Sequence, residues 1–393
     1  MNFNLTLFSQ IIKFLNREHF STIVRKYSTD KYSKGVNSWT HFVSMLFCHL
    51  AKANSLREII GGMLSMEGNL FHIGVKDKVP RKSTLSYINE HRNWELFRDY
   101  YISLHKIFVN ETGIKSKKFR IKRKIYLLDS TLISLCSKIY DWAHYTRKKG
   151  AIKLHMLLDY DGLLPSYMYL SDGKMSDMRA AKEISIPKTS VVVADRGYLD
   201  FSLLWTWESN EATFVVRCKE NVNFIEYEEY DLPDGKSQNI LKDEKVLLQE
   251  LETRKKYPKK LRMVTVYDEK KNSNVYLLTN NFTWTAETIS ELYKQRWQIE
   301  IFFRDIKSLF KIKSFVGTSV NAVMIQIWTA LITMLILKYL KHKSKYNWSL
   351  SNLVAFIRMN LLVKISLEQW LNTPFKPWEE LQTESNMQLK LFP

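Results

Sequence analysis

The run KIYLLDSTLISLCS, residues 124–137, is where the chain changes character. Upstream, apolar residues recur at helical spacing; from here they gather in short aliphatic and β-branched bursts divided by turn residues. IKLHMLLDYDGLLPSYMYLSD (152–172) reads as a hairpin turning at Asp161-Gly162. SDMRAAKEI (176–184) has the pattern of a short helix, and SVVVAD (190–195) that of a buried strand ending at an acid. Asp200–Trp207 is expected to be helical, and ATFVVRCK (212–219) supplies the next strand.

The resulting order, β-β-β-α-β-α-β, is that of an RNase H-like α/β fold, a mixed sheet covered on both faces. Residues 220–282 interrupt it with an acidic polar stretch, EYEEYDLPDGKSQ, and then RMVTVYDEKKNSNVYLLTNN, which reads as strand, turn and strand. Helical spacing returns over 283–363. The expected organisation is an all-helical N-terminal DNA-binding domain (1–115), a basic linker (116–124), a catalytic core (125–219 and 283–315) with a β-rich insertion (220–282), and a helical C-terminal region (316–393). Within the first segment, HFVSMLFCHLAKA (41–53) and LREIIGGMLSM (56–66) read as helices, the second capped by Ser55 with Glu58 completing a capping box. PRKSTLSYINEHRNWELFRDYYISLHKIF (80–108) reads as one further helix starting at Ser83 or Thr84.

The composition is globular: 393 residues, 45% hydrophobic, with 11 Trp, 20 Tyr and 21 Phe. The formal charge is +19, and residues 1–124 hold 22 Lys and Arg against 9 Asp and Glu, a net of +13. So basic and aromatic a chain points to a polyanionic partner, and nucleic acid is the usual one. The run KSKKFRIKRK (115–124) is either a solvated charge run or a DNA-backbone contact. Neither a basic amphipathic anchor nor a lipidation signal points to a membrane. Val323–Leu337 (VMIQIWTALITMLIL) is short for a bilayer span and reads as a buried core helix. Cys48, Cys136 and Cys218 are odd in number and widely spaced, as expected of free thiols in a reducing compartment. A cytoplasmic protein is the expectation.

Three acids carry the chemistry. Asp129 follows the apolar run IYLL and Asp195 follows VVVA, each at the expected C-terminal end of a buried strand. The third is Glu300, in YKQRWQIEIFFRDIK (293–307). On one α-helix Tyr293, Arg296, Glu300 and Lys307 fall in a stripe about 60° wide. Leu292, Ile299, Phe302, Phe303, Ile306 and Phe310 form the neighbouring apolar face. By itself such a helix could be a surface helix with an ordinary Arg296–Glu300 pair. Three converging carboxylates, however, repel one another unless a cation neutralises them. Hard oxygen donors suit two Mg²⁺ ions, for which Mn²⁺ substitutes, and such a pair supports in-line phosphodiester hydrolysis and strand transfer.

These residues resemble the DDE transposases of bacterial insertion sequences, in the group (insertion sequence four family) defined by a Y-(2)-R-(3)-E-(6)-K signature. Tyr293, Arg296, Glu300 and Lys307 meet every spacing, LLDST matches the first-Asp region and VVVADRGY the second. GAIKLH (150–155), TFVVRCKEN (213–221), SLREI (55–59) and PRKSTLSYINEHR (80–92) are also similar to segments of these proteins. The resemblance implies cut-and-paste DNA transposition, with Asp129, Asp195 and Glu300 as catalytic metal ligands. It implies that Tyr293, Arg296 and Lys307 grip phosphates near the transposon terminus, and that the second strand is commonly cut through a hairpin. Partners would be the terminal inverted repeats and target DNA, with a homodimer in the DNA complex. A stacking aromatic for a flipped base is expected in the insertion, with Tyr227, Tyr230 and Trp284 as candidates. The alternatives are a catalytically idle, domesticated DNA-binding protein of the same fold and a structure-selective nuclease.

Other tempting residues have quieter readings. His144 and His155 lack a second His or Cys at ligand spacing, and His155 reads as a strand residue pointing at the site or packed beneath it. Asp159, Asp161, Asp172 and Asp177 read as turn and cap residues, Cys136 as core, and Arg196 as either a DNA contact or half of an ion pair.

Overall fold

Polar residues just ahead of apolar runs start the first helices: α1 (Leu7–Lys13), α2 (Arg17–Tyr27), α3 (Ser38–Ala51) and α4 (Leu56–Leu64). Thr6, Asn16, Asn37 and Ser55 each accept the backbone N–H three residues on. Glu58 does reach back, but its carboxylate takes the backbone N–H of Asn54 at 2.9 Å, one residue before the cap. The run 80–108 forms two helices rather than one, α5 (Lys82–His91) and α6 (Glu95–Thr112). Asn93 Oδ1 accepts the Glu95 N–H at 2.9 Å and restarts the chain, while Ser83 and Thr84 lie inside α5, whose N-cap is Arg81. The computed structural model describes residues 5–33, 35–75, 79–113, 119–135, 150–220, 222–232, 239–310, 312 and 314–375.

The chain divides into two compact units, one of which spans Gly113–Arg304. It contains β1 (Ile125–Leu135), β2 (Gly150–Asp159), β3 (Leu164–Asp172), α7 (Asp177–Glu183), β4 (Val191–Ala194), α8 (Phe201–Ser209) and β5 (Thr213–Arg217). These follow the order expected from sequence. Next come β6 (Phe224–Glu229), β7 (Ile240–Leu248), α9 (Leu251–Lys256), β8 (Leu261–Asp268), β9 (Ser273–Thr279) and α10 (Ala286–Lys294); α11 (Trp297–Leu309) begins in this unit. Among the described residues the strands form one mixed sheet in the order β3-β2-β1-β4-β5-β9-β8-β7-β6. β1, β2 and β3 are antiparallel while β1, β4 and β5 are parallel, the RNase H-like arrangement. The insertion does not stand apart: β9 pairs antiparallel with β5, so the inserted strands prolong the sheet.

The period of two along the strands sorts the core onto both faces. Tyr126, Leu128, Val192, Ala194, Phe214 and Val216 pack with Ala181 of α7 and Leu204 and Trp207 of α8. Val215, Val264, Val266 and Leu277 pack on the other face with Ala286 and Ile289 of α10. Each fully buried aliphatic or phenyl side chain contributes about 1.5–3 kcal/mol.

The other unit joins Met1–Thr112 with Asp305–Pro393, so the first and last helical segments, separate in the sequence reading, pack as one body. It adds α12 (Val320–Lys343), α13 (Leu350–Met359) and α14 (Leu367–Asn372). α12 is long and apolar enough to cross a membrane, but its most apolar window is 89% buried inside the structure. A helix hydrophobic all round belongs in a core, and α12 packs against α3, α5, α6 and α13. Thr329 Oγ1 meets His49 Nε2 at 3.0 Å, and Asn321 Nδ2 donates to the carbonyls of Asn89 and Arg92. Cys48 and Cys218 are buried, and Cys136 lies outside the described residues.

Candidate active site

Strand register sets the first two acids side by side. Leu127 pairs with Val193 and Leu128 with Ala194 on neighbouring parallel strands, so the next residues along, Asp129 and Asp195, are adjacent. Parallel neighbours lie about 4.8 Å apart, and the pleat turns both acids to the face that carries α10. Asp195 follows the last residue of β4, as expected. Asp129 does not end its strand: β1 continues to Leu135 paired with β2, and only its ladder with β4 stops at Leu128.

The helix expected over 293–307 is broken. α10 stops at Lys294 and α11 starts at Trp297. Between them Gln295, Arg296, Gln298 and Ile299 each donate their N–H to the carbonyl three residues back, at 2.9 to 3.1 Å. This is a tightened 3₁₀-like turn. Tyr160 pins it, its hydroxyl donating to Gln295 Oε1 at 3.1 Å in a buried contact.

Around this turn the signature residues meet the acids. The Tyr293 hydroxyl donates to Asp195 Oδ1 at 3.1 Å. Arg296 Nη1 reaches Asp129 Oδ2 at 3.2 Å, and Nη2 reaches Glu300 Oε1 at 2.5 Å. Two strands, two helix ends and one turn thus bring Asp129, Asp195, Glu300, Tyr293 and Arg296 together. The apolar face, Leu292, Ile299, Phe302, Phe303, Ile306 and Phe310, is buried as expected. Lys307 is on the last turn of α11, beyond the boundary at Arg304.

Charge here is incompletely compensated. Burial pushes the Asp129 carboxyl up to about 6, and the nearby Asp195 and Glu300 add to the shift, against the Ser130 N–H and Arg296. Burial disfavours the Arg296 cation, yet its bond to Glu300 and the Asp129 and Glu300 carboxylates beside it hold its pKa above the ordinary value. Burial, with Asp195 beside it, likewise keeps the Tyr293 hydroxyl protonated. Among the described residues no three His, Cys, Asp or Glu side chains stand at a spacing that could hold a metal ion. Arg296 is hydrogen-bonded to both Asp129 and Glu300 and is the cation between them.

A cavity of about 380 Å³ opens beside the turn, walled by Tyr267, Tyr293, Arg296 and Trp297, with Lys270 and Lys294 also on its lining. Trp297 is 56% exposed. The aromatics weighed for stacking lie elsewhere in the contacts: Tyr227 packs under Lys260, Tyr230 under Arg262, and Trp284 against the core beneath α10. His155 is buried, its Nε2 bonded to Ser171 Oγ at 3.0 Å, so it is packed beneath the sheet surface. Asp159 pairs with Lys124 at 2.8 Å, and Asp172 accepts the Lys174 and Met175 N–H groups in a turn. Arg196 is exposed on the turn after Asp195. His144 lies outside the described residues. Sequence reasoning passed over Gln295, Tyr160 and Trp297; adjacency to Arg296 is the one signal that pointed at Gln295 and Trp297.

The mixed sheet, with β1 antiparallel to β2 and parallel to β4, defines a core of the RNase H-like class. The chain belongs to the Transposase DDE domain family, which matches residues 120–336. Residues 4–76 match a domain of unknown function (DUF4372). Among relatives, the chain is 25% identical over 243 residues to "Probable transposase for insertion sequence element IS5377" of Geobacillus stearothermophilus, covering 62% of this chain and 63% of that one. It is 31% identical over 214 residues to "Putative transposase y4zB" of Sinorhizobium fredii, covering 54% of this chain and 59% of the other. With "Putative transposase for insertion sequence element IS4SA" of Synechocystis it shares 24% identity over 316 residues, covering 78% and 86%. The chain thus spans about 60% of the length of the first two relatives it matches. A solved structure, the piggyBac transposase synaptic complex with hairpin DNA, aligns with a TM-score of 0.41 at 12% identity, covering 98% of this chain and 86% of that one.

Proposed function

We propose that this protein binds the terminal inverted repeats of an insertion sequence and catalyses metal-dependent DNA cleavage and strand transfer, moving the element by cut-and-paste transposition. One observation carries the reading: Asp129 and Asp195, from two strand ends, and Glu300 gather around Arg296 and Tyr293 of the same signature as Glu300. The donor chemistry fits a divalent cation, because three carboxylates offer hard oxygens. Asp129, Asp195 and Glu300 would hold two Mg²⁺ ions, with Mn²⁺ substituting, and such ions supply activation of a water or 3′-hydroxyl and stabilisation of the leaving oxygen.

Arg296 is the residue that exchanges partners. Its planar fork now serves two acids, and a DNA phosphate offers the same bidentate geometry. Turning to phosphate frees Asp129 and Glu300 for cations and places positive charge where the transition state becomes more anionic. Tyr293 orients Asp195 through its hydroxyl, and Tyr293 and Lys307 are further phosphate contacts. The basic helical segment 1–115 recognises the repeats, and the DNA complex is a homodimer.

The test uses end duplexes drawn from the DNA flanking the gene. Glu300→Gln should bind them as tightly as the unaltered protein and lose Mg²⁺-dependent nicking. Retained cleavage would remove Glu300 from the chemistry, and failure of the unaltered protein to cleave would overturn the reading.

A further inference from the structure

Behind the acids lies a polar cluster that the mechanism above leaves unused. Ser130 follows Asp129 directly, and its backbone N–H donates to Asp129 Oδ1 at 2.8 Å. Its hydroxyl turns the other way and donates to Asp177 Oδ1 at 2.5 Å. The same carboxylate accepts Lys153 Nζ at 2.9 Å, with His155 Nδ1 at 3.6 Å. Asp177 is the first residue of α7, whose start is already capped by Ser176, so the cap does not need its carboxylate. Its other oxygen faces the turn after Asp195: a Cβ added at Gly197 would stand 3.7 Å from Asp177 Oδ2. Tyr198, next on that turn, is 1% exposed.

We infer that Asp177 is a positioning residue that fixes the two strand-borne acids relative to each other, acting on Asp129 through Ser130 and on Asp195 through the turn at Gly197. The inference rests on the functional reading above. Lys153 holds the carboxylate from β2 and Ser130 holds it from β1, so α7 is tied to two strands at a single side chain. Groups that orient metal ligands from behind typically change ion affinity or activity about 10–100-fold when removed.

The experiment is a Mn²⁺ titration of the full-length protein bound to its end duplex, the state in which Arg296 is turned to phosphate, followed by the electron paramagnetic resonance signal of the free ion against a baseline of duplex alone. It is run on the unaltered chain, Asp177→Ala, Ser130→Ala and the double variant, with end-duplex binding and thermal melting measured alongside. Each single change should weaken Mn²⁺ affinity at least about 10-fold, with DNA binding unchanged. The double variant should be little weaker than either single one, because both act through one bond. If Asp177→Ala melts at assay temperature, Ser130→Ala carries the test, since it removes one hydroxyl and leaves the Lys153 pair. Affinities within twofold of the unaltered protein in the folded variants overturn this inference alone. No Mn²⁺ binding by the unaltered protein overturns the metal reading, and this inference with it.

Discussion

Arg262 offers the sharpest test of how the inserted strands serve the site. It stands on β8, 5% exposed, and grips Asp243 of β7 with two bonds, Nε to Oδ1 at 2.8 Å and Nη2 to Oδ2 at 2.6 Å. Asp243 is itself 3% exposed. The remaining guanidinium nitrogen, Nη1, donates to the Trp284 carbonyl at 2.6 Å, just ahead of the helix that delivers Tyr293. Arg262→Ala therefore strands a buried carboxylate and releases the entry to α10. Breaking a buried pair in this way costs about 3–5 kcal/mol, most of it from the uncompensated charge. For a unit of this size, about 2–4 °C per kcal/mol gives a melting shift of about 6–20 °C. The double variant Arg262→Met, Asp243→Leu should recover more than half of that loss, since no charge is left unpaired. Urea unfolding gives the free energies, and hydrogen exchange along α10 reports the release of its entry. A single variant costing less than about 1 kcal/mol, or a double variant costing the sum of its parts, would refute the reasoning.

Further outcomes follow from the same structure. His41 and His49 are fully buried, and burial pushes each down to about 3, with Arg92 adding to the shift at His41. The unfolded chain takes up protons below its ordinary histidine pKa of about 6.5 while the folded chain resists, so stability falls with pH from there down to about 3. At pH 5 the loss is about 2 kcal/mol for each histidine relative to pH 7.5; a helical unit equally stable in urea at both values would contradict it. Tyr160→Phe leaves Gln295 Oε1 without its buried donor, which should cost about 1–3 kcal/mol and loosen the turn at Arg296. Unchanged melting and unchanged hydrogen exchange at residues 293–299 would show that the bond holds nothing. End-duplex affinity should fall about 10³–10⁵-fold between 50 and 200 mM salt if the basic surface contacts six to ten phosphates. A flat response measured by anisotropy would remove the polyanion argument.

What was legible in the sequence was local. The bursts IYLL, VVVA and TFVV announced buried strands, and their order implied the sheet before any pairing was known. What was hidden depends on long-range register. Nothing in SNVYLLT says that β9 will pair with β5 and merge the insertion into the core sheet. Asp177 looked like a cap because it opens a short helix, and only the approach of Ser130 and Lys153 gives it another partner. The single helix expected over 80–108 failed at Arg92–Trp94, where no proline or glycine marks the break and a side-chain bond from Asn93 makes it.

The broken helix at Gln295 and Arg296 explains more than the continuous one would have. At 100° per residue Arg296 stands about 60° round from Tyr293, so the two side chains would diverge. In a 3₁₀ turn, residues three apart eclipse, because three residues complete the circle. The bond from the Arg296 N–H to the Tyr293 carbonyl is such a turn, and it stacks Arg296 in line with Tyr293, its guanidinium carbon 6.0 Å from the tyrosine ring centre. Tyr293 then reaches Asp195 on β4 while Arg296 reaches Asp129 on the adjacent strand β1. Two acids held side by side by parallel register are met by two side chains held in line by a tightened turn. The tightened turn runs on to the Ile299 N–H, which donates to the Arg296 carbonyl, and Glu300, in the first turn of α11, returns to the same guanidinium. The spacing Y-(2)-R-(3)-E therefore straddles the break between two helices, which sets Tyr293 against one acid and Arg296 against two.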